Sequence, residues 1–199
     1  ENIEKNITET PSFFEDKKDK QINDFNKKQI PITKALKKIE MLFSDKTVLK
    51  IGHNIKYDMH VLNNEINGSI NLFPVDDTMC LSYVLDSGRT ERHGLDFLSR
   101  EKLGIDTIKY EEICGKGKNQ INFSQVNPDI ACKYAAEDAD ISLRLWFLFK
   151  ERVVLEKMSS VYERLERPLI PVLANMEKNG IQVDSNSLLI LSKEFEVEI

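Results

Sequence analysis

Two segments, Ile51-Gly52-His53-Asn54-Ile55-Lys56-Tyr57-Asp58 and Tyr134-Ala135-Ala136-Glu137-Asp138, decide how this chain is interpreted. Each segment ends in an aspartate. Four residues before it stands an asparagine in the first segment and a tyrosine in the second. On a helix this spacing puts both side chains on one face. Two such carboxylates, Asp58 and Asp138, could hold a divalent metal against a phosphate if folding brings them together.

The residues around the first segment predict alternating helices and strands. Pro31 suits the first turn of a helix, and the apolar residues of 32–43 recur at roughly helical spacing. Residues 48–52 predict a short buried strand that ends at a glycine, and Asn54 is a good N-cap for the helix that follows it. Residues 73–75 predict a second strand. This alternation indicates an α/β layered domain.

Helical signals dominate the rest of the chain. Asp77 can cap a helix over 78–85, and Gly94 precedes another short helix. Asn127-Pro128 starts the longest helix, which is predicted to run to about Lys150. Its predicted buried stripe consists of Ile130, Tyr134, Ile141, Leu145 and Leu148.

The last part of the chain is also predicted to be mainly helical. A long helical segment over 160–178 ends at Asn179-Gly180, which is a good C-terminal stop. Ile181-Gln182-Val183 follows as a strand-like piece, and Asp184 and Ser185 open another helix. We therefore predict three parts: a mobile polar insert or terminus over 1–30, an α/β part over 31–155, and a separate part over 156–199.

Composition limits the class of protein. The chain has 199 residues, of which 41% are hydrophobic, so it can form one large domain or one domain plus part of another. It has no apolar run of about 18 residues and no signal-peptide pattern, so we expect no membrane partner. Its three cysteines form no Cys-x-x-Cys pair, which favours a reducing, cytoplasmic setting. The first residue is Glu rather than Met, which suggests a fragment.

Taken singly, the candidate motifs have simpler interpretations. Asn54 with Asp58 is more often a helix cap beside a solvated acid, and Tyr134 is more often an amphipathic core residue. Three acids near the centre of the long helix, at 137–140, need solvent, cations or partners. Residues 115–118, Gly-Lys-Gly-Lys, lack P-loop spacing but could form a basic loop that touches a nucleic acid backbone. The three histidines have no metal-ligand spacing.

The combination is more specific than its parts, because residues 48–199 resemble the bacterial DNA polymerase I family. The resemblance covers its 3′–5′ proofreading exonuclease domain, which has an RNase H-like fold, and the first helices of its polymerase domain. Five segments carry it in the right order over about three quarters of the chain. They are residues 49–58, Asp77-Thr78-Met79, residues 111–120, residues 134–140 and residues 167–173.

The resemblance implies roles for individual residues. Asp138 and Asp58 match aspartates that bind two divalent ions, Mg²⁺ or Mn²⁺, and Tyr134 matches the tyrosine that orients the attacking water. Asn54 and Tyr57 match residues that support the second motif, and we place them among the DNA-binding residues. Tyr110 matches an aromatic residue that packs against terminal nucleotides. The basic loop adds Lys116 and Lys118 as DNA-binding candidates, and the implied partners are a single-stranded DNA 3′ end and the polymerase domain.

One departure from the family is serious. The family has an Asp-x-Glu motif on the first strand of its sheet, and no convincing strand with this motif precedes Asp58 here. Ile7-Thr8-Glu9-Thr10 has isoleucine where aspartate is needed. We therefore expect an exonuclease fold that lacks its first strands, and little or no activity from the chain as given.

Two alternatives stay open at this point. The chain could be a non-catalytic, exonuclease-like module that packs against a polymerase. It could also be a related ribonuclease, because ribonucleases of the same superfamily use Tyr-x-x-x-Asp. The segment 167–172 favours the polymerase-linked interpretation.

Overall fold

The computed structural model describes residues 30–65, 72–90 and 92–198. The predicted mobile segment 1–30 therefore lies, except for Ile30, outside the described residues. The first described helix, α1, spans Ile32–Phe43 directly after Pro31, as the sequence predicts.

A short parallel sheet forms the centre of the described structure. Strand β1 (Lys50–Gly52) pairs with strand β2 (Val75–Asp77), and Lys50 lies opposite Val75. Helix α2 (Ile55–Glu65) follows β1. The order of strand, helix and parallel strand is the βαβ arrangement that the alternation of elements predicts. Each strand begins two residues after its predicted start; β1 ends at Gly52 as predicted, whereas β2 also ends two residues later than predicted.

Helices make up most of the remaining described chain. They are α3 (Thr78–Asp86), α4 (Leu95–Leu98), α5 (Tyr110–Cys114), α6 (Pro128–Leu155), α7 (Ser159–Val161), α8 (Arg167–Asn179) and α9 (Ser185–Glu198). Two π-helical turns, Ser99–Leu103 and Tyr162–Glu166, extend α4 and join α7 to α8. Two 3₁₀ turns, Gly117–Asn119 and Phe123–Gln125, lie between α5 and α6.

The larger apolar core forms where α6 packs against α3 and α4. Its fully buried members are Leu81, Leu85, Leu98, Ile141, Leu145, Phe149, Val153 and Tyr162. The stripe predicted for α6 is only partly right, because Ile130 is 47% exposed. The buried positions lie further along the helix, and α6 ends at Leu155 rather than near Lys150.

A second core joins the sheet to α2 and α8. Ile55 and Met59 of α2 and Val75 of β2 pack with Ile170 and Ala174 of α8. Helix α8 therefore shares a core with the helix that carries Asp58.

The predictions for the C-terminal part have mixed outcomes. Helix α8 ends before Gly180, whose φ of 71° suits glycine at a helix C-terminus. Asp184 accepts hydrogen bonds from the amides of Asn186 and Ser187 and opens α9, as predicted. The strand predicted at 181–183 is wrong, because this segment pairs with no strand among the described residues and Ile181 is 93% exposed.

No helix in the described part of the chain is long and apolar enough to cross a membrane.

Candidate active site

The turn from β1 into α2 places Asp58 in the first turn of the helix. Helix α2 begins at Ile55, directly after Asn54, so the predicted cap position is right. The carboxylate that binds the first amides, however, belongs to Asp77. It accepts hydrogen bonds from the backbone N–H of Asn54 at 3.0 Å and of Ile55 at 2.9 Å. Asp77 thus fixes the start of the helix that carries Asp58.

Asn54 has a left-handed backbone conformation at this turn. Its φ is 57°, a conformation that asparagine tolerates better than most residues. The carbonyl of Asn54 accepts a hydrogen bond from the amide of Tyr57 at 2.9 Å. The asparagine therefore has a structural reason to stand here, since it allows the sharp change of direction from strand to helix.

One open cleft of about 760 Å³ brings the two signature segments together. Of the predicted site residues, Asn54, Tyr57, Asp58, Tyr134 and Asp138 all line it. The other lining residues are Ile51, Gly52, His53, Met79, Gly94, Leu95, Asp96, Phe123, Ala135, Ala139 and Ser142. The small side chains of α6 beside Asp138 leave the middle of that helix accessible to a ligand.

The cleft carboxylates are not neutralised by the protein. No lysine or arginine is among the described residues that line the cleft. Burial raises the pKa of Asp138, and the charge of Asp96 raises it further, while the nearby Tyr134 hydroxyl lowers it. Burial also raises the pKa of Asp58, with a further contribution from the charge of Asp77. The cleft therefore disfavours negative charge on the side chains that point into it.

Tyr134 lies between the carboxylates and an aromatic pair. Burial, followed by the charges of Asp138 and Asp96, raises the pKa of Tyr134 to about 12, so its hydroxyl stays protonated at neutral pH. Its ring centroid is 6.1 Å from that of Phe123, which is 6.2 Å from that of Tyr110. A protonated hydroxyl beside two carboxylates can donate a hydrogen bond to a bound water or phosphate oxygen.

The comparisons with known proteins agree with this geometry. The family model described as 3′–5′ exonuclease matches residues 12–153. The chain belongs to this family. It is 48% identical over 166 residues to a DNA polymerase I from Rhizobium leguminosarum, covering 83% of this chain and 16% of that protein. It is 42% identical over 161 residues to a DNA polymerase I from Pseudomonas aeruginosa, covering 80% of this chain and 18% of that one.

Solved structures support the same fold. The structure of Brucella melitensis NrnC bound to pGG is similar with a TM-score of 0.57 and 22% identity, over 72% of this chain and 65% of that one. A nuclease in its apo form has a TM-score of 0.55 and 22% identity, over 79% and 69% of the two chains. This confirms the predicted exonuclease fold. The chain spans about a sixth of the length of the polymerases that it matches.

The exonuclease family uses divalent metal ions, and the cleft partly fits them. Carboxylate oxygens are the hard ligands that Mg²⁺ and Mn²⁺ prefer, and a cation would relieve the charge that Asp58 and Asp138 carry without a basic partner. The described residues nevertheless contain no group of three or more Asp, Glu, His or Cys side chains that could hold a metal ion. Asp58 and Asp138 alone are therefore fewer ligands than such a group requires.

The remaining predicted site residues lie outside the cleft lining. Tyr110 is 41% exposed and connects to the cleft through Phe123. Lys116 forms an ion pair with Glu111, and Lys118 lies on an exposed 3₁₀ turn. Neither lysine lines the cleft that contains Asp58 and Asp138, and the predicted contact of both lysines with DNA stays a prediction.

Two residues that line the cleft were missed by sequence reasoning. Asp96 stands in the first turn of the short helix α4, and a single acid there has no pattern that distinguishes it. His53 was set aside with the other histidines, but its Nδ1 lies 2.8 Å from the hydroxyl of Thr78, which also donates to the carbonyl of Gly52. Burial lowers the pKa of His53, so it is neutral in the cleft wall.

Proposed function

We propose that the cleft is the 3′–5′ proofreading exonuclease centre of a DNA polymerase I, which hydrolyses terminal phosphodiesters at the 3′ end of DNA. One observation carries the proposal: Asp58, Asp138 and Tyr134, drawn from segments 80 residues apart, line a single cleft without a lysine or arginine among its described residues. A phosphate-containing substrate needs such a carboxylate pair only if divalent cations bind with it.

Each residue has a distinct task in this proposal. Asp138 and Asp58 hold Mg²⁺ or Mn²⁺, and the hydroxyl of Tyr134 orients the attacking water by a hydrogen bond. When bound, the cations make water more acidic and stabilise the charge that develops on the phosphate oxygens. Asn54 shapes the turn that presents Asp58, while Tyr57, 68% exposed at the cleft, and the Tyr110–Phe123 pair offer aromatic faces for stacking bases of a single strand.

The proposal includes the wider organisation of the protein. We assign 31–155 to an RNase H-like exonuclease domain, and 156–199 to the first helices of the polymerase domain that is its partner. A cytoplasmic setting fits the three cysteines, which are all free. Because no Asp-x-Glu sequence precedes Asp58 in the 199 residues, two of the family's carboxylates are absent from them, and we expect little or no activity from the chain as given.

A nuclease assay tests the expected lack of activity. The chain is incubated with 5′-labelled single-stranded DNA and Mn²⁺, with EDTA in a parallel reaction, and products are resolved by length. We expect no release above the EDTA background. Robust release of mononucleotides from 3′ ends that disappears in the Asp138→Ala variant would mean that the described carboxylates suffice.

The role of Tyr134 is tested in a form of the protein that carries the Asp-x-Glu strand. We expect Tyr134→Phe to slow single-turnover cleavage on the order of 10²-fold, because the water loses a positioned hydrogen bond. DNA binding should be largely unchanged. Tyr83→Phe is the matched control, since Tyr83 is 52% exposed and does not line the cleft. An unchanged rate for Tyr134→Phe means that Tyr134 is a packing residue and removes its proposed role.

A second candidate is a non-catalytic module that packs on a polymerase. The absence of a group of three or more metal-ligating side chains among the described residues favours it. The two functions predict different Mn²⁺ binding. Only the exonuclease should bind Mn²⁺ with an affinity that Asp58→Asn and Asp138→Asn each reduce. Calorimetric titration of Mn²⁺ into the chain and the two variants distinguishes them.

A further inference from the structure

The proposed substrate is a polyanion, but the cleft that holds its end offers it no cationic side chain. The charged side chains among the described residues that line the cleft are Asp58, Asp96 and Asp138. The chain as a whole carries a formal net charge of −5. Protein affinity for DNA comes mainly from lysine and arginine at backbone phosphates. Any lysine or arginine side chain of the described residues that holds the strand must therefore lie outside the cleft lining.

A small basic pocket lies next to the cleft. It has a volume of about 170 Å³, and its lining contains three cationic and two acidic side chains. The lining residues are Arg92, Arg100, Lys109, Asp96, Asp106, Thr107 and Phe97. Asp96 also lines the cleft, so the two sites are contiguous. The segment 92–97 forms a further shallow depression on the same surface.

Neither acid of the pocket lining, Asp96 or Asp106, forms an ion pair with a lysine or arginine among the described residues. The hydroxyl of Thr107 donates to Asp96 at 3.1 Å, so that carboxylate already has a partner within the protein. Arg100 has a long 3.9 Å contact with Glu101, and both side chains are more than half exposed. Lys109 has no ion-pair partner among the described residues and is exposed. Lys109 is thus free to bind an anion from solvent, and Arg100 gives up only a long, exposed contact to do so.

We propose that this pocket binds a backbone phosphate of the substrate strand, on the 5′ side of the nucleotide whose 3′ end enters the cleft. The inference rests on the proposed function, because it takes the strand to end at Asp58 and Asp138. Arg100 and Lys109 supply the charge. The pocket reads no base, since phosphate contacts fix position without conveying sequence.

The basic loop at 115–118 is the weaker site for the same role. The ammonium of Lys116 is paired with Glu111, so a phosphate would have to displace that carboxylate. Lys118 is exposed on a 3₁₀ turn that contributes no residue to the cleft lining. The pocket, by contrast, shares Asp96 with the cleft, so its cations are the ones we place beside a strand that leaves the cleft there.

The test compares two double variants of the whole chain. Arg100→Gln/Lys109→Gln removes the pocket cations, and Lys37→Gln/Lys38→Gln removes two charges from exposed positions of α1 as a matched control. Fluorescence anisotropy of 5′-labelled dT8 is measured between 50 and 500 mM salt with Ca²⁺ present, and binding of thymidine 5′-monophosphate is measured alongside. We expect the pocket variant to bind dT8 about fivefold to tenfold more weakly at 50 mM salt, with a salt slope reduced by about 0.7. Its affinity for the mononucleotide, which occupies the cleft alone, stays unchanged.

Failure of the pocket and failure of the proposed function give different results. If the pocket variant binds dT8 with the affinity and salt slope of the control while the wild type binds it well, the pocket is overturned and the exonuclease proposal stands. An equal loss for dT8 and the mononucleotide means that the substitutions distort the cleft, and it also overturns the pocket. If the wild-type chain binds neither ligand, the proposed function fails and the inference fails with it.

Discussion

Two pairs of aspartates in this chain have opposite surroundings. Asp76 and Asp86 are buried, with 0% and 3% of their surface exposed, and cationic side chains contact both. Asp58 and Asp138 line the cleft, where no described lining residue is a lysine or arginine. Because the residue type is the same, the difference in charge compensation comes from the neighbouring side chains.

The buried pair is fully compensated. Both terminal guanidinium nitrogens of Arg152 donate to Asp86, at 3.1 and 2.9 Å, and the ammonium of Lys102 lies 2.9 Å away. These contacts hold the pKa of Asp86 well below its usual range, with the hydrogen bonds from Arg152 as the largest cause. Removal of one partner from such a buried pair is strongly destabilising, because it leaves the other charge without compensation.

Asp76 is held in a similar way between the sheet and the C-terminal helices. It accepts hydrogen bonds from the indole of Trp146 at 2.6 Å and the hydroxyl of Tyr162 at 3.0 Å. Arg167 and Lys150 lie 3.1 and 3.5 Å from its oxygens. Asp76 and Asp86 are thus paired with cationic side chains inside the fold, whereas no described residue that lines the cleft supplies such a partner to Asp58 or Asp138. Under the proposed function, divalent cations compensate the second pair, in keeping with the concentration of perturbed acids at functional sites.

The largest expected effect comes from removing charge in the cleft. In a form of the protein that carries the Asp-x-Glu strand, Asp58→Asn and Asp138→Asn should each slow single-turnover cleavage by at least about 10²-fold, because each removes a proposed metal ligand. Their free energy of unfolding should not fall. Asp140→Asn is the control, since Asp140 is paired with Arg144 on the exposed face of α6. A cleft variant that cleaves at the wild-type rate would refute the assignment of that residue.

The opposite pattern is expected for Asp86→Asn. This change leaves Arg152 and Lys102 beside a neutral side chain, and we expect a loss of about 3 kcal/mol in the free energy of unfolding. Urea denaturation gives the measurement. Asp140→Asn should cost less than about 1 kcal/mol, because its pair is exposed. An equal loss of unfolding free energy in the two variants would mean that the burial of Asp86 does not increase the cost of removing its charge.

A smaller effect is expected for Tyr162→Phe. The hydroxyl of Tyr162 donates to Asp76 and accepts from the backbone N–H of Asp77 at 3.1 Å. Its removal leaves that buried amide without an acceptor, which should cost about 1–2 kcal/mol by urea denaturation. Tyr83→Phe, at an exposed ring, is the control. If both variants unfold at the same urea concentration, the hydroxyl contributes nothing to stability.

The smallest effects appear in the dependence of stability on pH, and they have opposite signs in the two pairs. The lowered pKa of Asp86 gives stability that is present above the unfolded value of about 4 and is lost as the pH falls through the folded value. The raised pKa of Asp138 gives the reverse: its ionised form destabilises the fold above the folded value, and this penalty disappears below about pH 4.

This contrast is measured by urea unfolding of both Asn variants at pH 7 and pH 3.5. The disadvantage of Asp86→Asn relative to wild type should shrink at the lower pH. The free energy of unfolding of Asp138→Asn should exceed that of wild type at pH 7, and this difference should also shrink at pH 3.5. Two variants with the same sign of difference at pH 7 would contradict the distinction between compensated and uncompensated carboxylates.

Much of the helical structure could be predicted because its signals are local. Pro31, Asn127-Pro128 and Gly180 mark helix ends through their own backbone preferences, and each marks a real end here. The strand predicted at 181–183 failed because a strand needs a partner, and alternation along the chain cannot show whether one is near. The prediction that Ile130 is buried failed for a similar reason, since the first turns of α6 extend past the core.

The candidate site could be predicted only where it carries a pattern. Four-residue spacing pointed to Asp58 and Asp138, and the structure places both in one cleft. Asp96 carries no pattern and became visible only when folding put it beside Asp138. The count of lysines in 115–118 likewise could not reveal that Lys116 is paired with Glu111. Contacts between distant parts of the chain were beyond prediction from spacing.

The carboxylate of Asp77 gives the elements beside the cleft a property that concerns motion rather than charge. It accepts hydrogen bonds from the amides of Asn54 and Ile55 at the start of α2, and from those of Met79 and Cys80 at the start of α3. Neither helix can fray at its first turn without breaking bonds to the same two oxygens. These four amides therefore open to solvent together, and their hydrogen exchange follows one shared opening rather than two independent ones.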